Sequence, residues 1–301
     1  MEPLVEYRLE AAGHRTRALE LEGGGPGLVL LHGWGDSADT WRPLLAELGE
    51  RGRRAIAVDL PGFGAATPLD SGAILPQLDG FATALLDEWA AGEPVVIAGN
   101  SLGGCIALRL AEHARGLPLA GVVPVAPAGL EMPGWFDLVE RDPIVRRLLA
   151  IPIPVPGALV RQLVGGAYRQ LAFANPRAAQ RQVVSAFAAH HGSRADVARL
   201  LASGRRLLPE LSAAPFDLAA VQCPVLLVWG NRDRMVPHSG ARLVLDALPH
   251  TRVELIDGCG HCPQLEATDR LLELLVDFPP RTRSRPPRAR TDDFTLPHAA
   301  G

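Results

Sequence analysis

The apolar positions of the chain gather into short unbroken runs set between longer stretches of mixed polarity. Leu28-Val29-Leu30-Leu31, Ala55-Ile56-Ala57-Val58, Val95-Val96-Ile97-Ala98, Gly121-Val122-Val123-Pro124-Val125-Ala126 and Val225-Leu226-Leu227-Val228-Trp229 carry no polar alternation. A strand reads this way when both of its faces are covered, as in a parallel sheet with helices on either side. Arg252-Val253-Glu254-Leu255-Ile256 completes the series. Helical stretches lie between the runs: from a cap at Asp39 or Thr40 to about Glu50, over 75–91, from Cys105 to His113, and from about Gln264 to Val276. Residues 4–10 and 14–22 flank Ala11-Ala12-Gly13 and read as a hairpin of half-buried strands. Gly23-Gly24-Gly25-Pro26-Gly27 lacks the ending of a phosphate loop and precedes a strand, so it reads as a plain turn. The alternation predicts an α/β fold with a mostly parallel, doubly wound sheet.

From residue 129 to 219 the rhythm stops. No strand-like run occurs there, only proline-rich breaks such as Ile151-Pro152-Ile153-Pro154-Val155-Pro156 and helical stretches around 137–150, 157–172, 176–190 and 194–208. A helical insertion of this length must sit outside the sheet, and at its carboxyl edge it would form a lid. The expected organisation is a core of residues 1–128 and 220–278, a helical lid over 129–219, and a disordered, Pro- and Arg-rich tail over 279–301.

Ligand sites in open parallel sheets lie at the carboxyl ends of the strands. Three of these ends carry chemistry. Val95 to Ala98 runs into Gly99-Asn100-Ser101-Leu102-Gly103-Gly104, which reads as strand, sharp turn and helix. In a G-x-S-x-G turn the serine is strained and exposed above the sheet edge, and small flanking residues let strand and helix approach. The N–H of Leu102, at a helix N-terminus, then points to where charge develops on a substrate oxygen. A serine hydroxyl needs a base to take its proton, and the base needs an imidazole held in one tautomer by a carboxylate. Asp233, in Gly230-Asn231-Arg232-Asp233, and His261, in Asp257-Gly258-Cys259-Gly260-His261-Cys262, each follow a strand, giving the chain order Ser, Asp, His.

With His32-Gly33-Trp34 and Asp59-Leu60-Pro61-Gly62-Phe63-Gly64, these motifs make residues 4–278 resemble the α/β-hydrolase fold superfamily, in its serine-nucleophile branch. The resemblance implies Ser101 as nucleophile, His261 as general base and acid, and Asp233 as the orienting carboxylate. It implies an oxyanion hole from the backbone N–H groups of Trp34 and Leu102. His32 then supports its loop, and Asp59 reads as turn scaffolding. Cys259-Gly260-His261-Cys262 matches a disulfide-isomerase motif, but it occupies the histidine loop instead of opening a thioredoxin-like helix. Neither a redox nor a metal role is expected, and no cofactor is called for.

Composition narrows the rest. The 301 residues are 48% hydrophobic and 21% charged, with a net charge of -3, which gives no reason to expect a nucleic-acid partner. All 30 basic residues are arginine, which with abundant Ala, Gly and Pro points to a GC-rich bacterial genome. The N-terminus has neither a basic nor an apolar leader region, the apolar runs are too short for a membrane span, and four cysteines do not make a disulfide scaffold, so a cytoplasmic enzyme is expected. Between residues 130 and 210 eleven arginines stand against six carboxylates, read as solvated helix faces. Trp135, Phe136, Phe173 and Phe187 are the bulky candidates for a substrate pocket.

The expected activity is hydrolysis of a carboxylic ester or thioester of an apolar small molecule through an acyl-enzyme. Two alternatives stand beside it. Asn100 next to the serine and a basic insertion are similar to carbon–carbon bond hydrolases of the meta-cleavage type, although Cys262 and Leu265 stand where those often carry aromatic residues. A hydrolase-like ligand-binding protein with little turnover is the other.

Overall fold

A computed structural model describes residues 4–114, 116–131, 134, 156–213 and 215–278. Eight strands form one sheet: β1 (Val5–Ala11), β2 (His14–Leu21), β3 (Gly24–Leu31), β4 (Arg53–Val58), β5 (Val95–Asn100), β6 (Leu119–Val125), β7 (Leu226–Gly230) and β8 (Arg252–Ile256), in the order β1-β2-β4-β3-β5-β6-β7-β8. β1 pairs with β2 and β2 with β4 antiparallel; every later pairing is parallel. This is the mostly parallel, doubly wound sheet that the alternating pattern predicts, in the α/β-hydrolase arrangement that the resemblance of the motifs implies.

Successive side chains of a strand point to opposite faces. Val29, Leu31, Ile56, Val58, Val95, Ile97, Leu227 and Trp229 therefore enter one core with helices α2 (Leu75–Ala90) and α3 (Leu102–Glu112). Leu28, Leu30, Ala55, Ala57, Val96, Ala98, Leu226 and Val228 enter a second, with Trp41 and α1 (Arg42–Glu50) on one flank and Leu271, Leu272, Leu274 and Leu275 on the other. Both faces are buried, which is why the runs are apolar throughout. Between β6 and β7 in the chain come α4 (Gly157–Ala172), α5 (Arg181–Ala189) and α6 (Arg194–Ser212). The chain closes with α7 (Ala241–Ala247), α8 (Pro263–Glu266) and α9 (Thr268–Val276). The expected helix over 137–150 and the tail over 279–301 lie outside the described residues.

Several local expectations change. The glycine-rich stretch after residue 23 is strand from Gly24, with a register shift between Gly24 and Leu28. Asp39 does not cap α1; a 3-10 turn (Ala38–Trp41) precedes that helix, and the Asp39 carboxylate is taken by Arg17 and Arg42. α5 begins at Arg181, five residues later than expected. α6 runs past Pro209, and the Ala213 N–H donates to Pro209 O (3.1 Å) at its end. In this added turn the Glu210 carboxylate accepts the N–H groups of Ile74 (2.7 Å) and Leu75 (2.9 Å), capping α2, which has no side-chain cap from its own N-cap residue. The last predicted helix is two, broken at Ala267.

The turn from β5 into α3 depends on backbone contact. A Cβ on Gly99 would lie 2.1 Å from the carbonyl oxygen of Gly103, and one on Gly103 would lie 2.2 Å from that of Leu31. No rotamer change relieves a clash with backbone. Gly103→Ala is therefore expected to cost about 3 kcal/mol or more in urea unfolding. Gly80→Ala, on an exposed part of α2 with nothing within 4 Å of the added Cβ, should instead stabilise by roughly 0.5–1 kcal/mol. Equal effects of the two substitutions would contradict the close packing of β5, α3 and β3.

Candidate active site

Ser101 sits at the turn with φ 54° and ψ −109°, a region that costs a non-glycine residue on the order of 1–3 kcal/mol. Its backbone is pinned on both sides. The N–H donates to Val125 O (2.9 Å), and the carbonyl accepts from Cys105 N (2.9 Å) and Ala128 N (3.1 Å). The loop after β3 lies against it, since a Cβ on Gly33 would be 3.3 Å from Ser101 Cβ.

That loop is held from behind. His32 Nε2 accepts the Leu60 N–H at 2.8 Å, so the proton is on Nδ1, which donates to Gly33 O at 2.7 Å. Complete burial pushes the imidazole down to about 4, keeping it neutral. The N–H of Asp36 also donates to Gly33 O (3.2 Å). The Gly33–Trp34 peptide thus has its carbonyl fixed by two donors, and in a trans peptide the Trp34 N–H points the opposite way. Asp59, fully buried, accepts from Ala38 N (2.7 Å), Ala65 N (2.8 Å) and Arg17 Nε (3.0 Å). It ties β2, the loop after β4 and the turn before α1 together, as scaffolding.

Asp233 follows β7 and His261 follows β8. Asp233 Oδ2 lies 2.7 Å from His261 Nδ1 and accepts from Trp229 Nε1 at 3.2 Å. Oδ1 accepts from Met235 N (2.7 Å) and Val236 N (3.0 Å). The carboxylate is fully buried and satisfied on both oxygens, which fixes where it presents a lone pair to the imidazole. The histidine loop is clamped to the serine turn by Asn100, whose Nδ2 donates to His261 O (2.9 Å) and Val125 O (3.3 Å) and whose Oδ1 accepts from Gln264 Nε2 (3.2 Å). Its other anchor is α4, through His261 N to Ala172 O at 2.8 Å. Glu266 adds to this by accepting from both Gly260 N and Ala174 N.

Ser101, Leu102, Trp34 and His261 all line one cavity of about 320 Å³. Among the described residues no hydrogen bond closes between Ser101 and His261, a contact that commonly tightens only with substrate bound. The rest of the wall is mostly apolar and comes from α4 and α6: Val164, Tyr168 and Leu171, then Leu200, Leu207 and Leu211. Phe187 lines the cavity and stacks on Tyr168, with centroids 3.9 Å apart. Phe173 does not; it is buried edge-on behind Tyr168. Trp135 and Phe136 lie outside the described residues. Picking bulky aromatics misses most of the wall, whereas the 3–4-residue spacing of leucines along 200–211 carries the signal.

The cysteines do not form a redox pair. All four are free, and burial pushes Cys259 up to about 12 and raises Cys262 well above the ordinary thiol range, the reverse of a reactive thiolate. No group of three His, Cys, Asp or Glu among the described residues could hold a metal ion. Among the described residues no helix is long and apolar enough to cross a membrane.

Among the described residues Asp36 is the one carboxylate in the cavity wall. Burial raises it to about 6, against the Ser37 N–H it accepts at 2.9 Å. The folded state therefore holds this proton more tightly than the unfolded chain, and Asp36 makes stability fall as pH rises from about 3.8 to about 6. His32 acts oppositely, because its folded value is depressed, so its term makes stability rise from about pH 4 to 6.5. The two nearly cancel. Asp36→Asn removes the falling term, so urea unfolding of this variant should gain on the parent by roughly 2–2.5 kcal/mol between pH 4 and pH 7. A gap that stays constant with pH would show that Asp36 is not desolvated.

Comparison with known proteins gives the same picture. Residues 28–274 match the model of the alpha/beta hydrolase family. The chain is 31% identical over 261 residues to a pimeloyl-[acyl-carrier protein] methyl ester esterase of Xanthomonas campestris pv. campestris, covering 86% of this chain and 97% of that protein. It is 26% identical over 278 residues to a 2-hydroxy-6-oxononadienedioate/2-hydroxy-6-oxononatrienedioate hydrolase of Pseudomonas putida, covering 86% of this chain and 89% of that one. The fold superposes with a TM-score of 0.73 on a 2-hydroxy-6-oxo-6-phenylhexa-2,4-dienoate hydrolase of Rhodococcus sp. strain RHA1, at 23% identity over 92% of this chain and 99% of that one. With the sheet order, the serine turn and a family match over most of its length, the chain belongs to the alpha/beta hydrolase family.

Proposed function

We propose that this carboxylic ester hydrolase works through an acyl-enzyme on Ser101, with His261 as base and acid and Asp233 as the group that orients it. The observation that carries this reading is the 2.7 Å pairing of a buried Asp233 with His261 in the wall of the apolar cavity that also holds the strained Ser101. His261 Nε2 takes the proton of Ser101 Oγ as the oxygen attacks the ester carbonyl. Asp233 accepts from Nδ1 and stabilises the imidazolium. The N–H groups of Trp34 and Leu102 receive the oxyanion. His261 then returns the proton to the departing alcohol, and water, deprotonated by the same imidazole, releases the acid.

The cavity favours an apolar acyl group. A methyl ester on a larger acyl body, the bond named for the Xanthomonas relative, fits a pocket that is apolar on the insertion side and polar only near Ser101. In this reading the helices α4 to α6, with the rest of residues 129–219, act as a lid on the core of residues 1–128 and 220–278. Four free thiols suit the reducing cytoplasm. Carbon–carbon bond hydrolysis draws less support. Asn100, one of the two features similar to that group, has its amide committed to Val125, His261 and Gln264, leaving it little to offer a substrate.

Turnover of p-nitrophenyl esters of graded acyl length, beside a 2-hydroxy-6-oxodienoate, tests the assignment. Esters with apolar acyl groups should turn over faster than the dienoate. Ser101→Ala should abolish labelling by a fluorophosphonate and cut kcat by about 10⁵–10⁶. Faster cleavage of the dienoate would shift the assignment to carbon–carbon hydrolysis, and ester turnover retained by the alanine variant would remove Ser101 as nucleophile.

A further inference from the structure

The loop that carries the Trp34 N–H is held on one side by the core, through His32 and Asp36. On its other side it is held by the helical segment between β6 and β7. The Trp34 indole N–H donates to Ser203 Oγ at 3.0 Å, 169 residues away in sequence and in the middle of α6. Ser203 has no freedom to turn aside, because its own hydroxyl proton goes to Leu200 O at 2.7 Å, leaving a lone pair directed at the indole. One residue further along the loop, Gly35 O accepts from His191 Nε2 at 2.8 Å, from the turn that follows α5. A carbonyl can only accept, so this nitrogen carries the proton. α6 also lies directly on the loop. Gly35 has φ +76°, and a Cβ there would be 2.9 Å from Leu200 Cδ1.

The Gly33–Trp34 peptide is thus fixed from the core through its carbonyl, the Gly35–Asp36 peptide, next but one along the loop, is fixed from the helical segment through its own, and the Trp34 side chain between them is fixed by Ser203. We infer that Ser203 and His191 are positioning residues, through which α5 and α6 aim the Trp34 N–H at the reacting oxygen. The inference rests on the reading of Trp34 as an oxyanion-hole donor. It gives the helical segment a part in the chemical step. On a roof that only selects substrate, loss of a contact changes which acyl groups bind. On a support for the oxyanion donor, the same loss lowers the rate for every acyl length. Preorganisation of such donors is where a small misplacement is costly.

The test uses the full-length enzyme and three variants. Ser203→Ala removes the acceptor for the indole, Trp34→Phe removes the donor and keeps a ring, and Ser203→Thr keeps the hydroxyl. Ser203→Ala and Trp34→Phe should each lower kcat about tenfold across short and long p-nitrophenyl esters, with KM changed less than about twofold. The two effects should not add when combined, since both remove one hydrogen bond. Affinity for an alkyl boronic acid, which becomes tetrahedral on Ser101, should fall by about the same factor, while affinity for the planar carboxylic acid product should not. Ser203→Thr should stay within about threefold of the parent. If Ser203→Ala does not fold, Trp34→Phe reports on the same bond from the core side. The proposal is overturned if kcat and boronate affinity are unchanged, or if boronate and product affinities fall together, which marks a change of pocket shape. Failure of the acyl-enzyme reading on which both rest looks different: the parent itself would neither label at Ser101 with a fluorophosphonate nor bind the boronate, and both readings would go.

Discussion

Backbone meeting backbone is the constraint on which this site depends. A Cβ on Gly103 would be 2.2 Å from the Leu31 carbonyl oxygen, and one on Gly230 would be 2.2 Å from that of Gly260. One on Gly260 would be 2.5 Å from Ala174 N. These contacts join β3 to the serine turn, the aspartate loop to the histidine loop, and the histidine loop to the chain after α4. Side chains of any size at these points would push apart groups that must meet within hydrogen-bond distance. The glycines have no role in the chemistry themselves; they allow four loops from four strands to converge on one point.

Polar side chains hold what the glycines bring near. Asp59 gathers amides and Arg17 beneath the loop after β3, Asn100 and Gln264 fasten the histidine loop to the serine turn, and Glu266 fastens it to α4. All are buried or partly buried, where a lone polar group would be expensive, so each bond specifies one arrangement over its alternatives. The cavity surface is the opposite in character, being built of leucine, valine and aromatic side chains without strong direction. Direction belongs to the reacting groups and adaptability to the acyl pocket.

The parallel strands were legible because burial on both faces leaves a run with no polar residue, and β3 to β7 follow that pattern. Ser101 and Asp233 were legible as candidates because each follows such a run, and His261 because it follows the more polar strand β8, all three in loops rich in glycine. The expected cap at Asp39 failed because the carboxylate has better partners in Arg17 and Arg42, one of them distant in sequence. The short α7 was missed because seven residues give too little periodicity. The pocket wall was misread for another reason. Phe173 looks like a pocket residue by size, but size does not say which side of Tyr168 a ring will occupy. Ser203 and His191 gave no sequence signal at all, because their importance lies in a partner loop some 170 and 156 residues away.

The carboxylate of Glu210 on the first turn of α2 has a consequence for how the chain is made. Helix α2 emerges from the ribosome with its opening amides unanswered, and the group that answers them is 135 residues further along. Until α6 has been synthesised and has docked, the start of α2 relies on water and on its apolar face alone. The first half of the sheet can assemble during synthesis, yet one of its covering helices is completed only late, by the segment that also lines the cavity. Docking of that segment onto the core thereby completes α2 at the same time as it sets the cavity wall in place.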